Sequence, residues 1–257
     1  MRPIKALGQH FLKEPAIAEE MVKLAEINAN DRVWEIGPGK GILTRALIAT
    51  GCNIKAFELD QRLESLLKNE FGDRIELKIV DVLQMDWESE LKKESAPVKL
   101  VANIPYNITS PLLEKLEEYQ PYFTSAILMV QEEVAERICA VPGNKAYGLM
   151  TLRLQRLFDS YFLIKVPREY FEPVPKVNSA VVSLRPRAKP ADIPDLNKYL
   201  TVLETAFCHR RKTLRNNLLH LTNRDRLAQI QSETGIDLNR RGETLSEAEF
   251  ITISRYL

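Results

Sequence analysis

Cysteine is scarce in this chain. Only Cys52, Cys139 and Cys208 occur among 257 residues, an odd and scattered set with no CxxC pair. That argues against a disulfide framework or a cysteine-based zinc site, and it suits a reducing compartment. Net charge is nearly absent too: 36 lysines and arginines against 35 acids leave +1, so contact with a polyanion has to come from local patches. Long apolar runs are missing. The longest uncharged stretch, 100–113, contains Pro105 and Pro111 and is too short to span a bilayer. Met1-Arg2-Pro3-Ile4-Lys5 leads into no apolar segment, so no secretory signal is expected. No repeat and no low-complexity tract is visible. These absences describe a cytoplasmic protein with no membrane and no metal. Its length and 45% hydrophobic content are enough for one sizeable core and a smaller second unit.

What is present is a strand-helix rhythm. Residues 16–27 have apolar positions at helical spacing. Strands are predicted at 32–36, 53–58, 75–80, 98–102 and 125–130, with helices at 42–49 and 61–69 and a helical pattern after each later strand. Strand signals return at 162–166 and 180–184. Alternating elements of this kind predict an α/β fold, a mostly parallel sheet with helices on both faces. After residue 184 comes Arg185-Pro186-Arg187-Ala188-Lys189-Pro190 and then Pro194, a basic, proline-rich linker. From 196 to 257 the patterns are helical only. The expected domains are 1–186, carrying the sheet, and 187–257, a small all-helical domain.

Glu35-Ile36-Gly37-Pro38-Gly39-Lys40-Gly41 joins the first of these strands to its helix. Glycines there permit a tight turn and close approach of a ligand to the backbone. A dinucleotide GxGxxG would need Gly or Ala at Ile42, and no GxxxxGK[S/T] loop exists, so a phosphate cradle is excluded. A GxGxG loop behind an acid resembles the first motif of the class I methyltransferases, whose S-adenosylmethionine carries no phosphate. On its own, the loop is equally well read as a turn without a ligand. Glu58 ends the next strand and is placed to accept both hydroxyls of a ribose. Asp81 follows the third and is placed to accept a hydrogen bond from an adenine amine. Each acid alone reads as a solvated strand end; all three features at successive strand ends point to one ligand, because open α/β sheets bind along that edge.

Asn103-Ile104-Pro105-Tyr106 follows the apolar run 98–102 at the same edge. An exocyclic adenine amine is a poor nucleophile, since its lone pair is delocalised into the ring. Two neutral acceptors, the Asn103 side-chain oxygen and the Pro105 carbonyl, are expected to hold the amine hydrogens and aim the nitrogen at a sulfonium methyl. Proline stiffens this backbone, and Tyr106 offers a ring on which a flipped-out base can stack. An Asn-Pro turn with a core tyrosine is the alternative for the segment taken by itself.

With these residues in view, the chain resembles the small-subunit ribosomal RNA adenine-N6 dimethyltransferases over essentially its whole length. The resemblance runs through Lys5-Ala6-Leu7-Gly8-Gln9-His10-Phe11-Leu12, the glycine loop, Asn103 to Ile108, Phe171-Glu172-Pro173-Val174-Pro175-Lys176-Val177, and Phe207-Cys208-His209-Arg210-Arg211-Lys212-Thr213-Leu214-Arg215. It implies a Rossmann-like methyltransferase sheet, S-adenosylmethionine as donor, and double methylation of two adjacent adenines near the 3′ end of small-subunit RNA in a pre-ribosomal particle, performed by a monomer. It implies cofactor contacts from His10, Leu12, Gly37, Glu58, Asp81 and Asn103, where many relatives carry Asn in place of His10. Phe171 is implied as an aromatic facing the target adenine opposite Tyr106, on an exposed, rigid loop. The helical domain is implied to dock RNA through Arg210, Arg211, Lys212 and Arg215, with Arg2, Lys5 and Lys13 adding charge at the start of the chain. Two other readings remain at this point: a large-subunit adenine methyltransferase of the erythromycin-resistance type, and an assembly factor with dispensable catalysis.

Overall fold

The computed structural model describes residues 3–4 and 7–257. Arg2, Lys5 and Ala6, the first two of them counted above as basic, lie outside the described residues. Among the described residues nine strands follow in chain order: β1 (Phe11–Leu12), β2 (Arg32–Ile36), β3 (Asn53–Glu58), β4 (Glu76–Ile79), β5 (Val98–Asn103), β6 (Phe123–Gln131), β7 (Phe158–Val166), β8 (Phe171–Glu172) and β9 (Ser179–Pro186). Seven of them form one sheet in the order β4-β3-β2-β5-β6-β9-β7. The pairs from β4 through β6 are parallel, and β9 runs antiparallel to β6.

Local sequence explains most of this. The central strands are continuous apolar runs because both faces are covered: Val33, Trp34, Leu100, Val101, Leu128 and Met129 are fully buried. Gly41 starts the helix Ile42–Ile48 at φ +79°, and a Cβ there would stand 2.5 Å from the Phe71 ring. That glycine is required by packing against Phe71. Two differences from the sequence expectation have clear causes. β7 begins four residues before the predicted start, because Asp159 and Ser160 belong to a partly exposed strand at the end of the sheet order where no apolar pattern is needed. The pair β1·β8, in which Leu12 stands opposite Phe171, joins segments too far apart and too short to leave a period in the sequence.

The chain divides into two compact units, one comprising residues 1–135 and 159–186, the other 136–158 and 187–257. The break after Pro186 coincides with the expected linker. The segment 136–158, assigned from sequence to the first domain, packs within the second unit instead. Its Ala140, Tyr147 and Leu152 join one apolar cluster with Tyr199, Val202, Leu203 and Ala206 of the helix Leu196–Cys208. An excursion between two strands of a sheet has helical periodicity of its own, and periodicity does not say which core it serves. No helix among the described residues is long and apolar enough to cross a membrane, and no group of His, Cys, Asp and Glu among them could hold a metal ion.

Candidate active site

The strand order reverses at β2, with β3 to one side and β5 to the other, and a cleft opens beyond the carboxyl ends of strands at such a point. The cavity there is lined by Gly37, Glu58, Asn103, Tyr106 and Phe171, with His10 and Leu12 along the same wall. Gly37 turns at φ +71°, its N–H held by the Phe57 carbonyl at 2.9 Å. A Cβ on it would meet the Asn103 carbonyl and Pro105 only at 3.8 Å. Glycine is therefore required there by the left-handed turn, and it leaves bare backbone facing the cavity.

Glu58 is 6% exposed. Its Oε2 accepts from the Gly39 N–H at 3.0 Å and its Oε1 from the Asp60 N–H at 2.8 Å, so each oxygen retains a lone pair for a further donor. Burial raises its pKa, and those two N–H groups work against the rise. Asp60 is held down to about 2, chiefly by the Arg62 guanidinium, and it also accepts from the Gln9 side chain at 2.8 Å. Asp81 accepts from the Leu83 N–H through Oδ1 at 2.9 Å. It borders a second lobe of about 250 Å³, lined also by Phe57, Glu58, Leu59, Val82 and Ile108. Gln9 and Asp60 were missed from sequence. An acid two places past Glu58 was the available signal for Asp60; Gln9 stood within a family-like stretch, but its partner 51 residues away left no local signal.

On the other side of the cavity, Asn103 is the last residue of β5, opposite Met129. The Ile104 N–H donates to the Met129 carbonyl at 3.1 Å, which continues the ladder for one more peptide. The Pro105 carbonyl, expected to take an amine hydrogen, accepts from the Ile108 N–H at 3.0 Å and closes the turn Tyr106–Ile108. The Ile104 carbonyl, one peptide nearer Asn103, accepts no backbone donor among the described residues. The Tyr106 hydroxyl shares a 2.7 Å hydrogen bond with the Ser179 hydroxyl, and burial raises its pKa further above 10, so the phenol is neutral.

Phe171 corrects the sequence reading in one respect: it is 1% exposed and packs in the apolar cluster with Phe11, Leu12 and Val166. Its pairing with Leu12 draws it inward, so it walls the cavity without lying on an open loop. The ring that faces Tyr106 is His10, at 5.6 Å between centroids. Lys40 of the glycine loop reaches the same strand pair, 3.6 Å from the Glu172 carboxylate and 4.8 Å above the Phe11 ring.

The second unit carries the basic stretch. Arg210 donates to the Tyr147 carbonyl at 3.1 Å and to Glu243 at 3.0 Å, and Arg215 donates to the Gln231 side chain at 2.7 Å. These hydrogen bonds tie segments of the unit together, with Arg210 itself 44% exposed. Arg211 and Lys212 are exposed on a turn that Asn217 fixes from below, its buried amide donating to the Ala206 and His209 carbonyls.

The donor set fits S-adenosylmethionine. Glu58 lines the cavity and, with Asp81, its second lobe, while Lys40, the one cation among the described residues lining the cavity, stands 3.6 Å from the Glu172 carboxylate. A cationic, phosphate-free adenosine derivative suits such a lining.

Comparison with known proteins agrees with this chemistry. Residues 3–257 match the family model described as ribosomal RNA adenine dimethylase. The ribosomal RNA small subunit methyltransferase A of Acaryochloris marina is 41% identical over 98% of this chain and 96% of its own length. The protein of that name from Lactobacillus delbrueckii subsp. bulgaricus is 39% identical over 98% and 89%. Among solved structures, a dimethyladenosine transferase from Plasmodium falciparum superposes with a TM-score of 0.81 at 26% identity, covering 95% of this chain and 96% of that one. The 23S rRNA methyltransferase ErmE gives 0.76 at 27% identity, covering 96% and 99%.

Proposed function

The chain belongs to the ribosomal RNA adenine dimethylase family, and from that premise we propose how its strand-end cavity methylates adenine in small-subunit ribosomal RNA. The enzyme transfers methyl groups from S-adenosylmethionine to the N6 amine. The observation that carries the reading is the convergence of Gly37, Glu58, Asn103 and Tyr106 on one cavity at neighbouring strand ends.

Bound there, the cofactor supplies an electrophilic methyl on a sulfonium centre. Glu58 receives the ribose hydroxyls on its remaining lone pairs, Asp81 receives the adenine amine of the cofactor, and bare backbone at Gly37 admits the methionine portion. Leu12 closes the wall over it, and His10 lines the same cavity on the side of Tyr106. Asn103 Oδ1 and the Ile104 carbonyl accept the two hydrogens of the target amine; Ile104 takes the part first given to Pro105 because its carbonyl is one peptide nearer Asn103 and accepts no backbone donor among the described residues, whereas the Pro105 carbonyl already accepts from the Ile108 N–H. Tyr106 stacks on the flipped base, a contact worth roughly 1–3 kcal/mol, and Phe171 backs the cavity. A general base is unnecessary, because the methylated amine is acidic enough to lose its proton to water.

The substrate we assign is a pair of adjacent adenines near the 3′ end of small-subunit RNA within a pre-ribosomal particle, met by a monomer in the cytoplasm. The test is incubation with labelled S-adenosylmethionine and separated, unmethylated ribosomal subunits. Label is expected as dimethyladenosine in small-subunit RNA. Label confined to the large subunit would favour the erythromycin-resistance type of activity, with which the fold is shared.

The second unit serves as the RNA-docking part, and of its basic residues Arg211 and Lys212 are the phosphate contacts. Replacing both with Ala is expected to reduce the slope of log K against log salt by about 2, one per lost contact, at unchanged melting temperature. Arg210→Ala is expected to lower the melting temperature, since its donors brace Tyr147 and Glu243. A slope that stays put in the double variant would remove these residues from the interface.

A further inference from the structure

The acceptor side of the cavity contains a ring that the methyl transfer does not use. The His10 imidazole lies on Tyr106 with the planes 25° apart and the centroids 5.6 Å apart. Its Nδ1 is 2.6 Å from the Pro173 carbonyl. A carbonyl only accepts, so the Nδ1–H donates and this tautomer is set by the tether. Tyr106 is pinned in turn by the Ser179 hydroxyl, so the stack has one fixed plate and one tethered plate. His10 and Tyr106 also border a cavity of about 620 Å³ shared with Gln131, Pro173 and Lys176, within the usual size of ligand sites.

A flat base held between two rings needs two van der Waals spacings of about 3.5–4.0 Å, hence roughly 7–8 Å from plate to plate. The 5.6 Å observed is too small, so the base and the imidazole cannot both occupy this face of Tyr106. We propose that His10 is a gate for the target base: its imidazole covers the Tyr106 ring, and the incoming adenine must displace it and break the tether to Pro173. The proposal rests on Tyr106 being the base platform. It makes His10 a positioning residue on the acceptor side of the cavity, although sequence placed it with the cofactor. Its physical effect is selectivity. A base replaces the imidazole stack with its own at little net gain, so entry depends on the hydrogen bonds that Asn103 and Ile104 offer to an amine. The gate sits at the end of the β1·β8 pair, which gives the ring a fixed hinge.

The decisive measurement separates RNA KM from cofactor affinity. His10→Ala is expected to lower KM for unmethylated small ribosomal subunits about three- to tenfold, the worth of one aromatic stack, while the calorimetric Kd for S-adenosylmethionine moves less than about twofold. His10→Asn, also too short to cover the ring, repeats the measurement if the alanine variant does not fold. A weakened cofactor Kd with unmoved KM would assign His10 to the donor side and overturn the gate, and so would a raised KM. Tyr106→Ala tests the underlying reading separately: a KM increase of about tenfold or more upholds the platform, and no increase removes it. If Tyr106→Ala acts and His10→Ala is silent, the gate alone falls. In the Tyr106→Ala background, replacing His10 is expected to have no further effect, because nothing remains to be uncovered.

Discussion

Replacing Asn103 with Ala is expected to reduce turnover by at least about 100-fold, the usual cost of misplacing a reacting group by an ångström, while binding to the ribosomal particle changes little. The reason lies in the nucleophile. The amine lone pair is conjugated with the adenine ring, and it becomes available only when the amine is held with both hydrogens fixed. Asn103 Oδ1 and the Ile104 carbonyl are neutral acceptors on rigid backbone, one ending β5 and the other extending its ladder to β6. A charged acceptor would bind the amine equally well but would be drawn toward the sulfonium. Alanine preserves the strand, so the loss should appear in kcat, with particle affinity measured by filter binding or sedimentation nearly intact. Equal losses in both would show that Asn103 supports the fold and not the reaction.

The second large effect is on stability against pH, and it centres on Glu35. This side chain is fully buried at the root of the glycine loop, with the Thr44 hydroxyl donating to its Oε2 at 2.8 Å and no hydrogen-bond partner for Oε1 among the described residues. Burial, reinforced by the charge of Glu58 and opposed by Thr44, raises its pKa from 4.5 to about 8. Between those values the folded protein keeps a proton that the unfolded chain releases, so stability falls as pH rises through the window and levels off above it. At about 1.4 kcal/mol per pH unit the ceiling is roughly 5 kcal/mol. Glu35→Gln removes the titration at small structural cost. Glutamine keeps an acceptor for Thr44, and its two N–H donors against the acid's one proton add one unsatisfied buried donor, which subtracts about 1–3 kcal/mol at every pH without changing the shape of the profile. The variant is expected to show a flatter profile of melting temperature between pH 5 and 8, and at pH 8 a melting temperature higher by on the order of 10 °C. Scans run without cofactor check this directly; parallel profiles for the two proteins would rule out Glu35 as the titrating group.

Much of this protein was legible before any coordinates. The central strands announce themselves as apolar runs bounded by polar turns, so the alternating order and the edge on which Gly37, Glu58, Asp81 and Asn103 assemble follow from local pattern alone. The chemical identities of those residues suggested acceptors for a ribose and for amines, and the resemblance of their motifs to a known family named donor and acceptor. What local pattern cannot contain is pairing over long separations. His10 bonds to a carbonyl 163 positions away, and only that closure puts its ring on Tyr106 and buries Phe171 beside Leu12. The segment 136–158 has an unremarkable helical period; its core was decided by the shape of Tyr147 and Leu152 against Tyr199 and Val202. The basic stretch was visible as charge, but whether an arginine meets solvent or braces its own domain depends on which carbonyls stand within reach. Arg210 and Arg215 found acceptors within their own unit, Arg210 while itself exposed, and Arg211 and Lys212 lie at the surface. Composition and spacing thus determined which chemistry this chain carries, because residue type and periodicity are local properties. Tertiary structure decided which of the same residues are left free to perform it, because burial and hydrogen-bond partners are set by contacts between distant parts of the chain.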